Sequence, residues 1–213
     1  EDLGTAEKRM LELTCERAGL VDGQAVLEMG CGWGSLTLWI AARYPNSTIT
    51  GVSNSAPQRK FILDCARERG LTNIEVITAD MNAFDALEGR PDGFRFDRIV
   101  SVEMFEHMRN YGALLGNCAR WLAPGGKLFT HVFCHRSLAY PYADGDGWME
   151  RYFFTGGIMP REDLFEQFPE VMTVEQRWWV DGTHYERTSN AWLANLDAQR
   201  GAVEALCHET YGP

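Results

Sequence analysis

The chain has 213 residues, 45% of them hydrophobic and 23% charged, which is enough for one α/β domain with a substantial core. Its formal net charge of -10 offers no basic field to a nucleic acid and repels anionic lipid, so a small or cationic ligand suits it better. No apolar stretch approaches the length of a transmembrane helix. No leader-like pattern opens the chain either, although Glu1 is not a natural start and that absence carries little weight.

Residues 5–17 read as a helix and 25–29 as a short apolar strand. A helix over 33–44 ends at Pro45 and Asn46, and a second strand covers 48–52. Pro57 opens a helix over 57–69 that Gly70 stops. Strands follow at 74–78 and within 95–102. A helix over 109–122 ends at Pro124, Gly125 and Gly126, and a fifth strand covers 127–133. Strands thus alternate with helices, and the strands are nearly continuous apolar runs. That pattern predicts a mostly parallel sheet covered on both faces and doubly wound by right-handed crossovers.

The rhythm changes after Phe133. Residues 135–147 read as a long loop, 148–154 as an aromatic helical turn or lid, 161–168 as a short helix, 171–180 as a sixth strand and 188–209 as a long helical segment. No repeat or low-complexity tract interrupts this order. The expectation is a single domain over 1–213, with its core at 20–180 and a helical, substrate-side segment at 181–213. The six cysteines are dispersed without a CxxC pair and read as free thiols in a reducing compartment, the cytoplasm. Neither they nor the five histidines cluster as a metal site requires.

The richest stretch is VLEMGCGWGS at 26–35, where an acid, Glu28, precedes glycines at 30, 32 and 34. Alternate glycines let the backbone pass close to a ligand beside a helix N-terminus. The dinucleotide fingerprint G-x-G-x-x-G fails, because Ser35 stands at the third glycine position. The second strand ends in GVSNS, with no carboxylate for a ribose. A phosphate-binding loop is disfavoured as well, since no G-K-[ST] follows. Glu28 can instead orient the loop or accept a hydrogen bond from a cationic amino-acid group. A purely structural tight turn is the plainer alternative.

Further motifs are GVSNSAPQ at 51–58, SVEMFEHMRNY at 101–111, WLAPGGK at 121–127, HVFCH at 131–135, YFFTGGIMP at 152–160 and GTHYERTSNAWL at 182–193. Together with the glycine loop, they resemble the coclaurine N-methyltransferase type of class I S-adenosylmethionine (SAM)-dependent methyltransferases. This group is related to the cyclopropane-fatty-acid synthases, and the likeness runs from about Ala25 to Asp197. The resemblance implies a Rossmann-like sheet with SAM at the carboxyl ends of its strands and S-adenosylhomocysteine as product. Glu28, Gly30 and Gly32 would hold the methionine part, Ser53 and Gln58 would reach the ribose, and Asp80 and Met81 would border the adenine. It also implies a last strand and a longer N-terminal helical region that these residues lack. The segment alone is therefore expected to bind SAM weakly or to be poorly stable.

Methyl transfer from a sulfonium is an in-line substitution, in which the protein orients the nucleophile and manages its proton. The resemblance assigns Glu106 and His107 as the catalytic pair and Glu103 as their support in binding substrate. On a helical turn, Glu103 and Glu106 would share a face that His107 can join. A solvated acidic turn with a packing histidine is the alternative. Tyr152, Phe153 and Tyr185 are the candidates for an aromatic amine pocket. In the cyclopropane synthases, the matches to Glu106 and His131 hold a bicarbonate, although a core histidine also explains His131. The expected partner is a small, benzylisoquinoline-like amine, without nucleic acid or stable membrane insertion, and a homodimer is left open. Modification of an unsaturated lipid is the competing activity, and a SAM-binding protein without catalysis is the third reading.

Overall fold

The apolar run Ala25–Met29 forms the central strand β1, paired in parallel with β2 (Thr48–Ser53) on one side and β4 (Phe96–Val102) on the other. β3 (Ile74–Thr78) adds beyond β2 and β5 (Leu122–His131) beyond β4. The all-parallel sheet therefore runs β3-β2-β1-β4-β5. The computed structural model describes residues 2–142 and 156–212. Strand order reverses between β1 and β4, and open sheets of this kind take ligands in the crevice outside the carboxyl ends at such a reversal.

The two-residue strand period sorts β1 between two cores. Leu27 and Met29 face a cluster with Phe96, Ile99, Leu115 and Trp121. Val26 faces the opposite cluster with Cys15, Ile40, Ile49 and Val100. Helices α1 (Leu3–Ala18) and α2 (Ser35–Arg43) supply the second cluster, and α4 (Tyr111–Trp121) supplies the first. The sheet is thus doubly wound, as its apolar strands predict. α3 (Ala56–Glu68) starts where Ser55 Oγ accepts from the Gln58 amide at 3.4 Å, with Pro57 in the first turn. Asn110 caps α4 in the same way, accepting from the Ala113 amide at 3.0 Å.

Trp121 is fully buried, and its Nε1 donates to Asp85 Oδ1 at 2.9 Å. The same carboxylate accepts from Arg120 at 3.1 Å and from the Leu87 amide at 3.1 Å. One side chain so fastens the segment after β3 to α4. Truncating Trp121 to Ala would cost about 3–5 kcal/mol in packing and free that segment.

Several elements differ from the sequence expectation. β5 begins at Leu122, earlier than residue 127, because Leu122 pairs with Phe96 before the ladder shifts register and resumes at Lys127 opposite Arg98. The predicted Pro-Gly-Gly turn sits inside the strand as this irregularity, with Gly125 at φ 78. The expected sixth strand over 171–180 does not form: no strand covers those residues. A run of β-formers becomes a strand only when a neighbouring ladder receives it. Within the loop expected at 135–147, Tyr140–Pro141 (β6) pairs antiparallel with Ile158–Met159 (β7). The short helix expected at 161–168 shrinks to the 3₁₀ turn Leu164–Gln167. The whole aromatic stretch 148–154, with Tyr152 and Phe153 in it, lies outside the described residues.

The chain divides into two compact units. Leu11–Val174 holds the sheet and the β6–β7 pair. Glu1–Met10 and Glu175–Pro213 form the other, which carries α5 (Gly182–Ala198) and α6 (Arg200–Tyr211). The expected single helix over 188–209 is therefore two helices, broken at Gln199. The first begins six residues earlier because Asp181 caps it, accepting from the Thr183 amide at 2.9 Å.

Candidate active site

At the end of β1, Glu28 points to the Val26 face, where α2 packs. It is 3% exposed, and Thr37 Oγ1 donates to its Oε2. Burial pushes the Glu28 carboxyl up to about 7, and the Thr37 hydrogen bond opposes that rise. The loop beyond is tied to the next strand, since the Gly30 and Cys31 amides donate to the Val52 carbonyl at 3.0 and 2.9 Å. The first two glycines serve different ends. Gly30, at φ 81, lies against the β4 end, where a Cβ would stand 2.8 Å from Met104 Cβ. Gly32, at φ 52, has no atom of the described residues within 4 Å of the place a Cβ would take. One closes the loop onto the sheet, and the other leaves backbone open to an incoming molecule.

The end of β2 brings two candidates together: Ser53 Oγ donates to Gln58 Oε1 at 2.6 Å and accepts from the Ser55 amide at 3.1 Å. After β3, the exposed Asp80 accepts from the Asn82 amide and side chain, both at 2.9 Å, while Met81 packs half-buried on the core.

The end of β4 holds the acids. Glu103, at φ 52, is the one non-glycine residue with positive φ among the described residues, a conformation costing on the order of 1–3 kcal/mol. Its amide donates to the His131 carbonyl at 2.8 Å, which fixes the turn against the end of β5. The 3₁₀ turn Phe105–His107 follows. Glu106 is completely buried, and neither carboxylate oxygen has a hydrogen-bond partner among the described residues. Burial pushes its carboxyl up to about 7, with the charge of Glu103 adding to the rise. The amides of Glu106 and Phe133 oppose that rise without reaching hydrogen-bond geometry.

His107 comes next in the turn but is exposed, and the packed part of its ring holds its pKa below the usual histidine value. The structure therefore gives Glu106 and His107 different surroundings, one dry and one wet. His131, the last residue of β5, is half-buried, and burial lowers its pKa as well. Tyr185 belongs to the helical unit, where its ring lies edge-on to Trp192 at 6.5 Å.

Four supporting residues escape the sequence reading. Thr37 holds Glu28, and Met104 fills the space beside Gly30. Tyr111 Oη donates to the Phe105 carbonyl at 2.9 Å and braces the acidic turn from below. Gly157 packs on the turn's backbone, where a Cβ would stand 2.2 Å from the Glu106 carbonyl oxygen. A signal existed for Tyr111, inside the FEHMRNY motif, and for Gly157, inside TGG. Nothing local marks Thr37 or Met104, whose partners are set by packing.

A five-stranded parallel core reversing after β1, a glycine loop at the first strand and acids at the fourth define a Rossmann-like class I methyltransferase fold. The chain belongs to the mycolic acid cyclopropane synthetase family, whose profile matches residues 1–211. It is 44% identical over 208 residues to (S)-coclaurine N-methyltransferase of Thalictrum flavum subsp. glaucum, covering 96% of this chain and 56% of that protein. With pavine N-methyltransferase of the same plant it shares 36% over 214 residues, covering 99% of this chain and 58% of that one. Its fold superposes on the crystal structure of coclaurine N-methyltransferase bound to N-methylheliamine and S-adenosylhomocysteine, with a TM-score of 0.91 and 38% identity. That match covers all of this chain and 61% of the other. The chain thus spans somewhat more than half the length of these two plant relatives. Among the described residues, no helix is long and apolar enough to cross a membrane.

Proposed function

We propose that these residues carry the methyl-transfer centre of a SAM-dependent amine N-methyltransferase acting on a benzylisoquinoline-like amine. The observation that carries the reading is Glu106: a fully buried carboxylate without a hydrogen-bond partner among the described residues, raised to about 7, beside the crevice at the strand reversal. The names of the relatives at 44% and 36% identity agree with it.

The residues present fit the cofactor. Gly32 leaves backbone room, Glu28 offers a buried carboxylate to an amino-acid ammonium, and Ser53 with Gln58 offers polar groups to a ribose. Asp80 and Met81 would border the adenine. When bound, SAM supplies a sulfonium-activated methyl group and leaves as S-adenosylhomocysteine. The protein's own task is the amine proton. An amine attacks only when neutral, and Glu106 can take the proton from the ammonium near neutral pH. After it gives that proton up and is ionised again in a dry site, it also favours the cationic product. Glu103, aimed by its left-handed backbone, would hold the amine in line, while the exposed His107 can pass the proton on to water. Tyr152, Phe153 and Tyr185 are retained as aromatic contacts to the substrate. The reading takes 1–213 as one methyltransferase domain. It places the protein in the cytoplasm, in keeping with six cysteines that form no disulfide among the described residues, and a homodimer is the assembly that sedimentation of the full-length protein would test.

The cyclopropane branch of the family supports a second reading, in which Glu106 and His131 hold bicarbonate and the substrate is an unsaturated lipid. Full-length protein incubated with methyl-labelled SAM and, separately, a pool of tetrahydroisoquinolines or vesicles of monounsaturated phospholipid separates the two. Label in the amines without added bicarbonate is expected. Label in lipid alone, dependent on bicarbonate, would replace the first reading by the second, and label in neither would leave a binding protein.

A further inference from the structure

The turn that carries Glu106 closes on itself through the His107 and Met108 amides, which donate to the Met104 and Phe105 carbonyls, both at 3.0 Å. Those bonds shape a three-residue 3₁₀ turn but do not fix its place on the fold, and among the described residues the Glu106 carboxylate receives no hydrogen bond. Its position must come from packing on its backbone. From below, the support is Tyr111 Oη on the Phe105 carbonyl at 2.9 Å. From the other direction it is Gly157. A Cβ there would lie 2.2 Å from the Glu106 carbonyl oxygen and 3.2 Å from both Glu106 C and His107 Cα. These neighbours are backbone atoms, which cannot swing aside as a side-chain tip can.

Gly157 is itself held from two sides. Its carbonyl accepts from the Tyr142 amide at 3.0 Å, and its neighbour's carbonyl, Gly156 O, accepts from Arg109 Nε at 2.5 Å. Arg109 follows directly on the acidic turn, so the turn and the glycine segment clasp each other. The adjoining glycine differs: Gly156 adopts φ 89 but has nothing within 4 Å of a would-be Cβ. One glycine serves close approach, and the other serves backbone conformation.

We infer that Gly157 is a positioning residue for the reaction, its missing side chain seating the Glu106 turn, with Arg109 as the strap that keeps it there. This rests on the amine-methyltransferase reading. In full-length protein, G157A must push the turn away. A displacement on the order of 1 Å lowers turnover by about 100-fold. The glycine loop and the Ser53–Gln58 pair lie on other strands, so SAM affinity by calorimetry stays within about twofold. A displaced Glu106 also gains water, so the limb on which turnover rises with pH moves from near 7 toward the ordinary carboxylate value of 4.5. A general loss of stability would not move that limb.

G70A is the control, since a methyl at Gly70, at φ 68 with nothing within 4 Å of a would-be Cβ among the described residues, strains the backbone without the collision and lies outside the strap. It lowers stability but keeps turnover and the pH limb. R109A, at an exposed residue, loosens the strap and shows the same split in smaller measure, and it alone decides if G157A fails to fold. Wild-type protein that methylates amines, with G157A and R109A matching it in turnover and pH limb, would overturn this inference alone. Wild-type protein that methylates no amine would overturn the parent reading, and this inference with it.

Discussion

Replacing Glu106 by Gln is expected to raise the stability of the fold at pH 8 relative to its effect at pH 5. The carboxyl titrates near 4.5 when unfolded and near 7 when folded. A raised carboxyl pKa means that the folded state binds the proton more tightly, so stability is lost as pH rises through this window. One pH unit across the window is worth about 1.4 kcal/mol, and between pH 5 and pH 8 the Glu106 contribution should change by about 2–3 kcal/mol. Gln has nearly the same shape and cannot ionise. Its amide carries its own burial cost of about 1–3 kcal/mol, but that cost does not depend on pH. The readout is therefore the difference of differences: urea denaturation of wild type and E106Q at both pH values, with the gap moving toward E106Q by about 2–3 kcal/mol at pH 8. A gap independent of pH would refute the argument, because Glu106 would then be as well solvated when folded as when unfolded.

Three further outcomes follow from the same geometry. G32A should fold with a penalty of about 1 kcal/mol for its left-handed backbone, yet lose SAM affinity at least about tenfold, since a methyl enters the open side of the loop. G30A should instead unfold the loop against Met104, and thermal melts with and without SAM separate the two. T37V leaves Glu28 buried without its donor, so the Glu28 pKa should climb above about 7 and SAM binding should weaken most, relative to wild type, just above pH 7, where wild type is ionised and the variant is still protonated, with the two converging at lower pH. Calorimetry across pH checks this. E103G relieves the φ of 52 and should stabilise the fold by about 1 kcal/mol while raising the amine KM, whereas equal KM values would remove Glu103 from substrate binding.

The sheet was legible because its strands are short, mostly apolar runs set between helical patterns: AVLEM at 25–29 and IEVIT at 74–78 form strands at the residues the pattern indicates. Legibility failed where a partner decides the outcome. The segment 171–180 has the composition of a strand but joins no ladder among the described residues. The start of α5 depends on an Asp181 cap masked by the turn-like Gly-Thr-His that follows. At the site, the glycine loop and the acids could be read from their order in the chain. Which glycine is open, which acid is dry and which histidine is wet could not, because φ, burial and packing belong to the assembled turn. Glu106 and His107 are adjacent in sequence, yet only one is sealed from water.

The central claim is that Glu106 acts on the substrate's proton and not on the cofactor. The most direct test measures single-turnover methyl transfer to a tetrahydroisoquinoline by full-length wild type and E106Q, alongside SAM affinity by calorimetry. The account predicts that turnover falls by about 100-fold or more while SAM binds as before. Turnover retained in E106Q, or SAM affinity lost in proportion, would contradict it.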